Sequence, residues 1–239
     1  ALKANTTAVN NVAIGAYALD TNTTGANNVA VGYQALDANT TGAESTAVGT
    51  FALQDNTTGA NNVATGRAAL GNNTTGYSNV ATGHNALRLN TGGIENTALG
   101  NAALYNSTAN YNTAVGASAL NANTTGSQNT AIGTFSNRAN TSASNNVSLG
   151  YASLLLATTG HSNTTVGSLS GQSLTSGTGN AFFGIRAGDS NTTGVANTFI
   201  GGSYASYVGA ANTTGSYNVA LGADALTANT TADNNVAVG

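Results

Sequence analysis

Apolar residues occur in two short runs that recur every 17 residues along the chain. In the unit Asn28–Glu44, the first run is Val29–Val31 and the second is Tyr33–Leu36. Runs this short are typical of strands and too short for helices. The Asn-Thr-Thr-Gly stretch that follows reads as a turn, because Asn and Gly tolerate positive φ. Each unit is therefore predicted to form one coil, strand–corner–strand–corner, stacked on the next by parallel ladders.

A glycine follows the first run in every unit. Eleven of the thirteen intervals between these glycines are 17 residues, one is 16 and one is 21. This period predicts an all-β fold, a parallel β-solenoid (β-roll) of about 14 coils with a 17-residue repeat. The glycines are Gly15, Gly32, Gly49, Gly66, Gly83, Gly100, Gly116, Gly133, Gly150, Gly167, Gly184, Gly201, Gly222 and Gly239.

The repeat predicts a single solenoid array over residues 1–239. Residues 1–150 are expected to form regular coils, and residues 151–239 to form coils with irregular corners and an insertion near 202–211. Because both ends of the sequence fall within the repeat pattern, we expect the chain to be a segment of a longer repeat protein.

Side chains alternate between the two faces of a strand, so Val29 and Val31 share one face and Ala30 takes the other. We expect the Val, Ile and Leu face to fill the coil and to meet the leucines of the second run, such as Leu36. The opposite face is then a row of alanines, for which two interpretations stand. Small residues fit a narrow coil, or the row packs against other copies in an oligomer. The candidate interface residues are Ala13, Ala30, Ala47, Ala64, Ala81, Ala98, Ala114 and Ala131.

Asparagine occupies the position four residues before the repeat glycine in every coil but one, where Ser45 replaces it. Stacked in register, such amides form hydrogen bonds along the column, as in cross-β ladders. A structural asparagine ladder is therefore predicted. Its members are Asn11, Asn28, Asn62, Asn79, Asn96, Asn112, Asn129, Asn146, Asn163, Asn180, Asn197, Asn218 and Asn235.

Composition narrows the classes of function. Charged residues make up 5% of the chain and the net charge is −3, which gives no basic footprint for nucleic acid. No apolar stretch is long enough for a membrane-spanning helix. The carboxylates are scattered, and the only histidines, His84 and His161, occupy different coil positions. We therefore expect no enzyme activity, no catalytic residue, no cofactor and no metal site.

The motif Asn-Thr-Ala-Val-Gly-x-Ser-Ala-Leu, at Asn112–Leu120, resembles the YadA-like head repeats of trimeric autotransporter adhesins. It is also similar to repeats of tail-fibre proteins. The resemblance covers nearly the whole chain, although the adhesin repeat is shorter. It implies a left-handed β-roll, a homotrimer, and display on a cell or virion surface. The partners it implies are further copies of the chain and a host surface protein or glycan.

Two functions remain after these exclusions. The first is an extracellular structural or adhesive fibre segment, a rigid repeat rod that mediates attachment or forms a filament. The alternative is an ice-binding β-solenoid that uses the stacked Thr residues of the corners. A separate question is whether the Asn-Thr-Thr triplets, as at Asn22 and Asn123, serve as glycosylation sites or only as corners.

Overall fold

The computed structural model describes residues 1–202 and 207–239, and every regular element there is a three-residue β-strand. The insertion predicted near 202–211 includes residues 203–206, which lie outside the described residues. The strands are β1 Val12–Ile14, β2 Val29–Val31, β3 Thr46–Val48, β4 Val63–Thr65, β5 Val80–Thr82, β6 Thr97–Leu99, β7 Thr113–Val115, β8 Thr130–Ile132, β9 Val147–Leu149, β10 Thr164–Val166, β11 Ala181–Phe183, β12 Thr198–Ile200, β13 Val219–Leu221 and β14 Val236–Val238.

The chain divides into two compact units, residues 1–118 with β1–β7 and residues 119–239 with β8–β14. Within each unit, every strand pairs in parallel with the next strand along the chain. The register places equivalent residues of successive coils side by side, for example Ala30 beside Ala47. The predicted all-β class, parallel β-solenoid and 17-residue repeat are confirmed.

Only the first apolar run of each coil is a strand, so the predicted second strand is wrong. Residues 33–36 form a turn in which Gln34 and Leu36 have φ of 53° and 52°. This left-handed backbone turns two consecutive side chains inward, and Ala35 and Leu36 are both fully buried. A strand would have sent one of them outward. The turn leucines from Leu19 to Leu154 are fully buried, as expected from the sequence, whereas Leu226 is partly buried.

The strands face the opposite way from the prediction. Their central residue points into the coil, and their first and third residues point outward. The alanine row is therefore enclosed within its own chain and offers no surface to a second copy. The physical reason is the narrow coil, in which the turn Leu already fills the space opposite the strand. Ala13 in the first coil is half-buried, and the fully buried members are Ala30, Ala47, Ala64, Ala81, Ala98, Ala114 and Ala131.

The Asn-Thr-Thr-Gly corner favours glycine for a reason different from the predicted tolerance of positive φ. Neither Asn73 nor Gly76 has a positive φ. Instead, a Cβ at Gly76 would lie 2.5 Å from the backbone oxygen of Gly93 in the next coil. The close approach of stacked backbones, rather than a left-handed turn, restricts this position to small residues, and the equivalent residue is alanine at Ala143 and Ala232.

In two coils of residues 119–239, a large residue replaces the inward alanine of the strand, and a glycine replaces the leucine of the turn. Phe182 and Phe199 take the inward strand position that alanine holds elsewhere, and both are fully buried. Gly188 takes the turn position that leucine holds elsewhere, with φ of 60°. A Cβ at Gly188 would meet the Phe182 ring at 2.7 Å. The phenylalanine ring thus occupies the space that a leucine side chain would otherwise fill.

This exchange predicts strong coupling between Phe182 and Gly188. Phe182→Ala alone should lower the free energy of unfolding by about 3–5 kcal/mol, because it leaves a cavity. Gly188→Leu alone should cost about 1–3 kcal/mol through overpacking. The double variant should recover part of the lost free energy of unfolding, because the Leu side chain fills the cavity. Leucine also adopts the positive φ of this turn position, as Leu36 does. Denaturant unfolding of the four proteins gives the coupling free energy.

The matched control combines Phe182→Ala with Gly92→Leu. Gly92 lies in an exposed corner, where a Cβ would meet only a Thr75 hydroxyl at 3.2 Å. This pair should show no recovery. A Phe182→Ala, Gly188→Leu variant as unstable as the sum of its two single variants would contradict the exchange.

Candidate interaction surfaces

In each of the two units, the outward side chains of the strands form a surface that we call the sheet face. It consists of the first and third residues of each strand and carries two rows of Val, Ile, Leu, Thr and Phe, with Ala181 in the first row. The aliphatic members are exposed or half-buried; Leu99 and Leu149 expose 47% and 42% of their surface, whereas Val31 and Val115 are half-buried. No strand residue is charged. Contiguous apolar patches of this kind mark contact sites more often than solvated surfaces.

The asparagine column predicted from the sequence runs through buried positions and bonds each coil to the next. Asn28 accepts a hydrogen bond at Oδ1 from the Ser45 backbone N–H (3.0 Å). Its Nδ2 donates to the Gly42 carbonyl at 2.8 Å. Further along the column, Asn79 donates through Nδ2 to Asn62 Oδ1 at 3.2 Å. These amides satisfy backbone groups that would otherwise be buried without a partner.

A second asparagine column lies at the Asn-Thr-Thr corners. Asn56 donates through Nδ2 to Asn39 Oδ1 at 2.8 Å and to the Gly59 carbonyl at 2.9 Å. Both asparagines are fully buried. A glycan would attach to this same nitrogen, so the folded coil hides the potential glycosylation sites at Asn39 and Asn56, whereas Asn5 in the first coil is exposed. Their role in the described structure is to hold the corner.

The two threonines of each corner differ in what their side chains do. The first one bonds the next coil, as Thr23 Oγ1 does by donating to the Thr40 carbonyl at 3.0 Å. The second one is exposed, as at Thr24, Thr41 and Thr58. Coils such as these therefore present one threonine hydroxyl to solvent at the corner, whereas Thr124 and Thr125 are both exposed and Gly92 replaces the second threonine of its coil.

Aromatic rings accompany the cations of the chain. Tyr17, Tyr33 and Phe51 touch edge to face in three successive coils, with centroids 5.9 and 5.6 Å apart. The Lys3 ammonium lies 5.8 Å from the Tyr17 ring and the Arg67 guanidinium 6.0 Å from the Phe51 ring. Rings at right angles stabilise the stack of turns but form no flat platform.

The carboxylates form no constellation for acid–base chemistry. Burial raises the pKa of Asp55, and the neighbouring Asp37 carboxylate raises it further. Asp55 is nonetheless exposed and lies in no cleft. Asp20 pairs with Lys3 at 3.5 Å. Within residues 1–202 and 207–239, no three His, Cys, Asp or Glu side chains are grouped closely enough to hold a metal. The same residues include no helix that could cross a bilayer.

Comparisons with known proteins identify no relative. No protein-family model, no curated protein and no solved structure matches this sequence. The resemblance to YadA-like head repeats therefore stays a prediction that rests on the repeat motif alone.

Ser45 is the one interruption of the first asparagine column, and this suggests a test of that column. Its hydroxyl accepts the Asn62 N–H at 3.2 Å but does not reach the Gly59 carbonyl. Ser45→Asn should restore the missing donor and raise the free energy of unfolding by about 0.5–1.5 kcal/mol. The reverse change, Asn79→Ser, should lower it by a similar amount or more. Denaturant midpoints measure both, and a destabilised Ser45→Asn protein would refute the ladder's role.

Proposed function

We propose that this chain is a segment of an extracellular structural or adhesive fibre, in which copies associate side by side through the sheet face. The observation that carries the proposal is the sheet face itself. It repeats in every coil, it is uncharged, and it exposes large aliphatic side chains such as Ile14, Leu99 and Leu149. The proposed localisation is a cell or virion surface, and the proposed assembly is a homotrimer of left-handed coils.

The interior of the coil supports the association. It contains mainly alanine, leucine and hydrogen-bonded asparagine, so each coil buries little apolar surface by itself. Covering the outward Val, Ile and Leu residues would add about 25 cal/mol for each Å² of apolar surface removed from water. Self-association would therefore add to the apolar burial that the narrow core provides.

Attachment to a host protein or glycan is the adhesive part of the proposal. Its support is the regular backbone, in which each coil is bonded to the next at several positions and repeats the same corners. A regular solenoid of this kind presents its corners at fixed intervals. Corners and loops are where recognition residues concentrate.

Ice binding is the second candidate, and the threonine corners favour it. Exposed hydroxyls repeat at this corner in successive coils, as at Thr24, Thr41 and Thr58, although Gly92 interrupts the row. On the sheet face, Thr65 and Thr82 extend a similar regularity. Thermal hysteresis of the purified chain distinguishes the candidates, because a fibre segment should show none.

The proposed association is tested by mass and by charge substitution. Light scattering of the intact chain should give three times the mass of the 23.3 kDa protomer. The double variant Val48→Lys, Leu99→Lys places two cations on the sheet face. Because a buried unpaired charge costs several kcal/mol, it should raise the dissociation constant by roughly 100-fold or more and yield monomers.

The matched control is Thr58→Lys, Thr75→Lys, which adds the same charge to exposed corners. It should assemble as the unchanged protein does. A monomeric unchanged chain at high concentration, or a sheet-face variant that still assembles, would contradict the proposal.

A further inference from the structure

A groove on residues 119–239 stands apart from the sheet face. Its volume is about 300 Å³, at the lower end of the range for small-molecule sites. None of its residues belongs to a strand, so association through the sheet face does not use them. The lining residues are Asn121, Ala122, Arg138, Ala139, Leu155 and Leu156.

Two leucines of the groove are accessible to solvent and do not belong to the core. Within the run Leu154–Leu156, only Leu154 takes the buried turn position of the repeat. Leu155 is half-buried, and Leu156 exposes 45% of its surface. The corresponding residues two coils earlier are Asn121 and Ala122. The repeat therefore does not require apolar side chains here, and their presence creates a small aliphatic patch.

Arg138 places a cation at the same groove. Its guanidinium lies 5.2 Å from the Phe135 ring, and this ring contacts Tyr151 at 6.1 Å between centroids. The aromatic contact holds the guanidinium in position without neutralising it. Among residues 1–202 and 207–239, no carboxylate lies within ion-pairing distance of Arg138. The side chain is exposed, so its donors are accessible to an anion.

We propose that this groove binds a free aliphatic carboxylate. Arg138 donates two parallel N–H bonds to the carboxylate, the geometry for which a guanidinium is suited. The hydrocarbon chain lies on Leu155, Leu156 and the neighbouring alanines. Four of the six lining residues are Ala or Leu, which matches an aliphatic chain better than a sugar with many hydroxyls. No charged residue other than Arg138 lines the groove.

Titration with octanoate, followed by ligand-observed NMR, tests the proposal on the intact chain. We expect saturable binding, with octanol binding at least tenfold more weakly because it lacks the charge. Arg138→Gln should weaken octanoate binding about tenfold or more. Leu156→Asn should weaken it several-fold. Both residues are exposed, so neither change should disturb the fold, and circular dichroism verifies this.

The matched control is Arg88→Gln. Arg88 also lies beside an aromatic residue, with Nη1 3.4 Å from the Tyr105 hydroxyl, but outside this groove. It should leave octanoate binding unchanged. The proposal would be overturned if octanoate showed no saturable binding, or if Arg138→Gln left octanoate binding unchanged. It would also be overturned if the Arg88 and Arg138 variants lost octanoate affinity equally. Arg138-dependent binding to anionic lipid vesicles without binding of octanoate would also overturn it.

Discussion

The spacing between stacked backbones is the constraint on which every coil depends. Parallel strands lie about 4.8 Å apart, so identical backbones meet their copies at that distance. At Gly32 and Gly49, φ is 142° and 137°, and a Cβ would lie 2.5 and 2.6 Å from the backbone oxygen of the next coil's glycine. Both backbone angle and space therefore exclude a side chain. This explains why the glycine remains at Gly184, where the strand before it has changed to Ala-Phe-Phe.

The same spacing makes a partly polar interior stable. Most column asparagines meet an equivalent residue at hydrogen-bonding distance, so burial leaves the amide satisfied, as for Asn56 and Asn39. Where Leu174 interrupts the corner column, Asn191 Nδ2 has no hydrogen-bond partner. Asn137 shows what happens outside the columns. It replaces a turn leucine, is fully buried, and neither amide atom has a hydrogen-bond partner. A buried amide is therefore favourable here only where the stack supplies its partner.

Sequence patterns revealed the repeat but not which strand face lies inside. Periodicity fixes the stacking, the glycine corner and the buried leucine, because each depends only on spacing. Which face lies inside depends on the width of the coil. Hydrophobicity alone predicts the wrong face, because Ala30 is less apolar than Val29 and Val31. Variation among the repeats carried the missing signal. The inner row is alanine in its first eight coils, whereas the outer row includes Thr65, Leu99 and Phe183. A filled interior restricts residue size, and an outer surface does not. Arg138 shares its repeat position with Arg88, but that position varies among coils and holds Asp37 or Leu155 elsewhere, so the groove required the structure.

Charged residues distinguish the turns and corners, which carry them, from the sheet face, which does not. None of the five Lys and Arg or eight Asp and Glu residues lies in a strand, so all of them belong to turns and corners. A solvated sheet face normally carries polar side chains, and exposed apolar patches on monomeric proteins stay small. Neither unit carries a charged residue on its sheet face, although Thr residues such as Thr97 and Thr113, which lie side by side, interrupt the apolar rows. A surface that stays uncharged through so many repeats is suited to contact with another surface. The corners, with their arginines held by aromatic rings, remain available for a different partner.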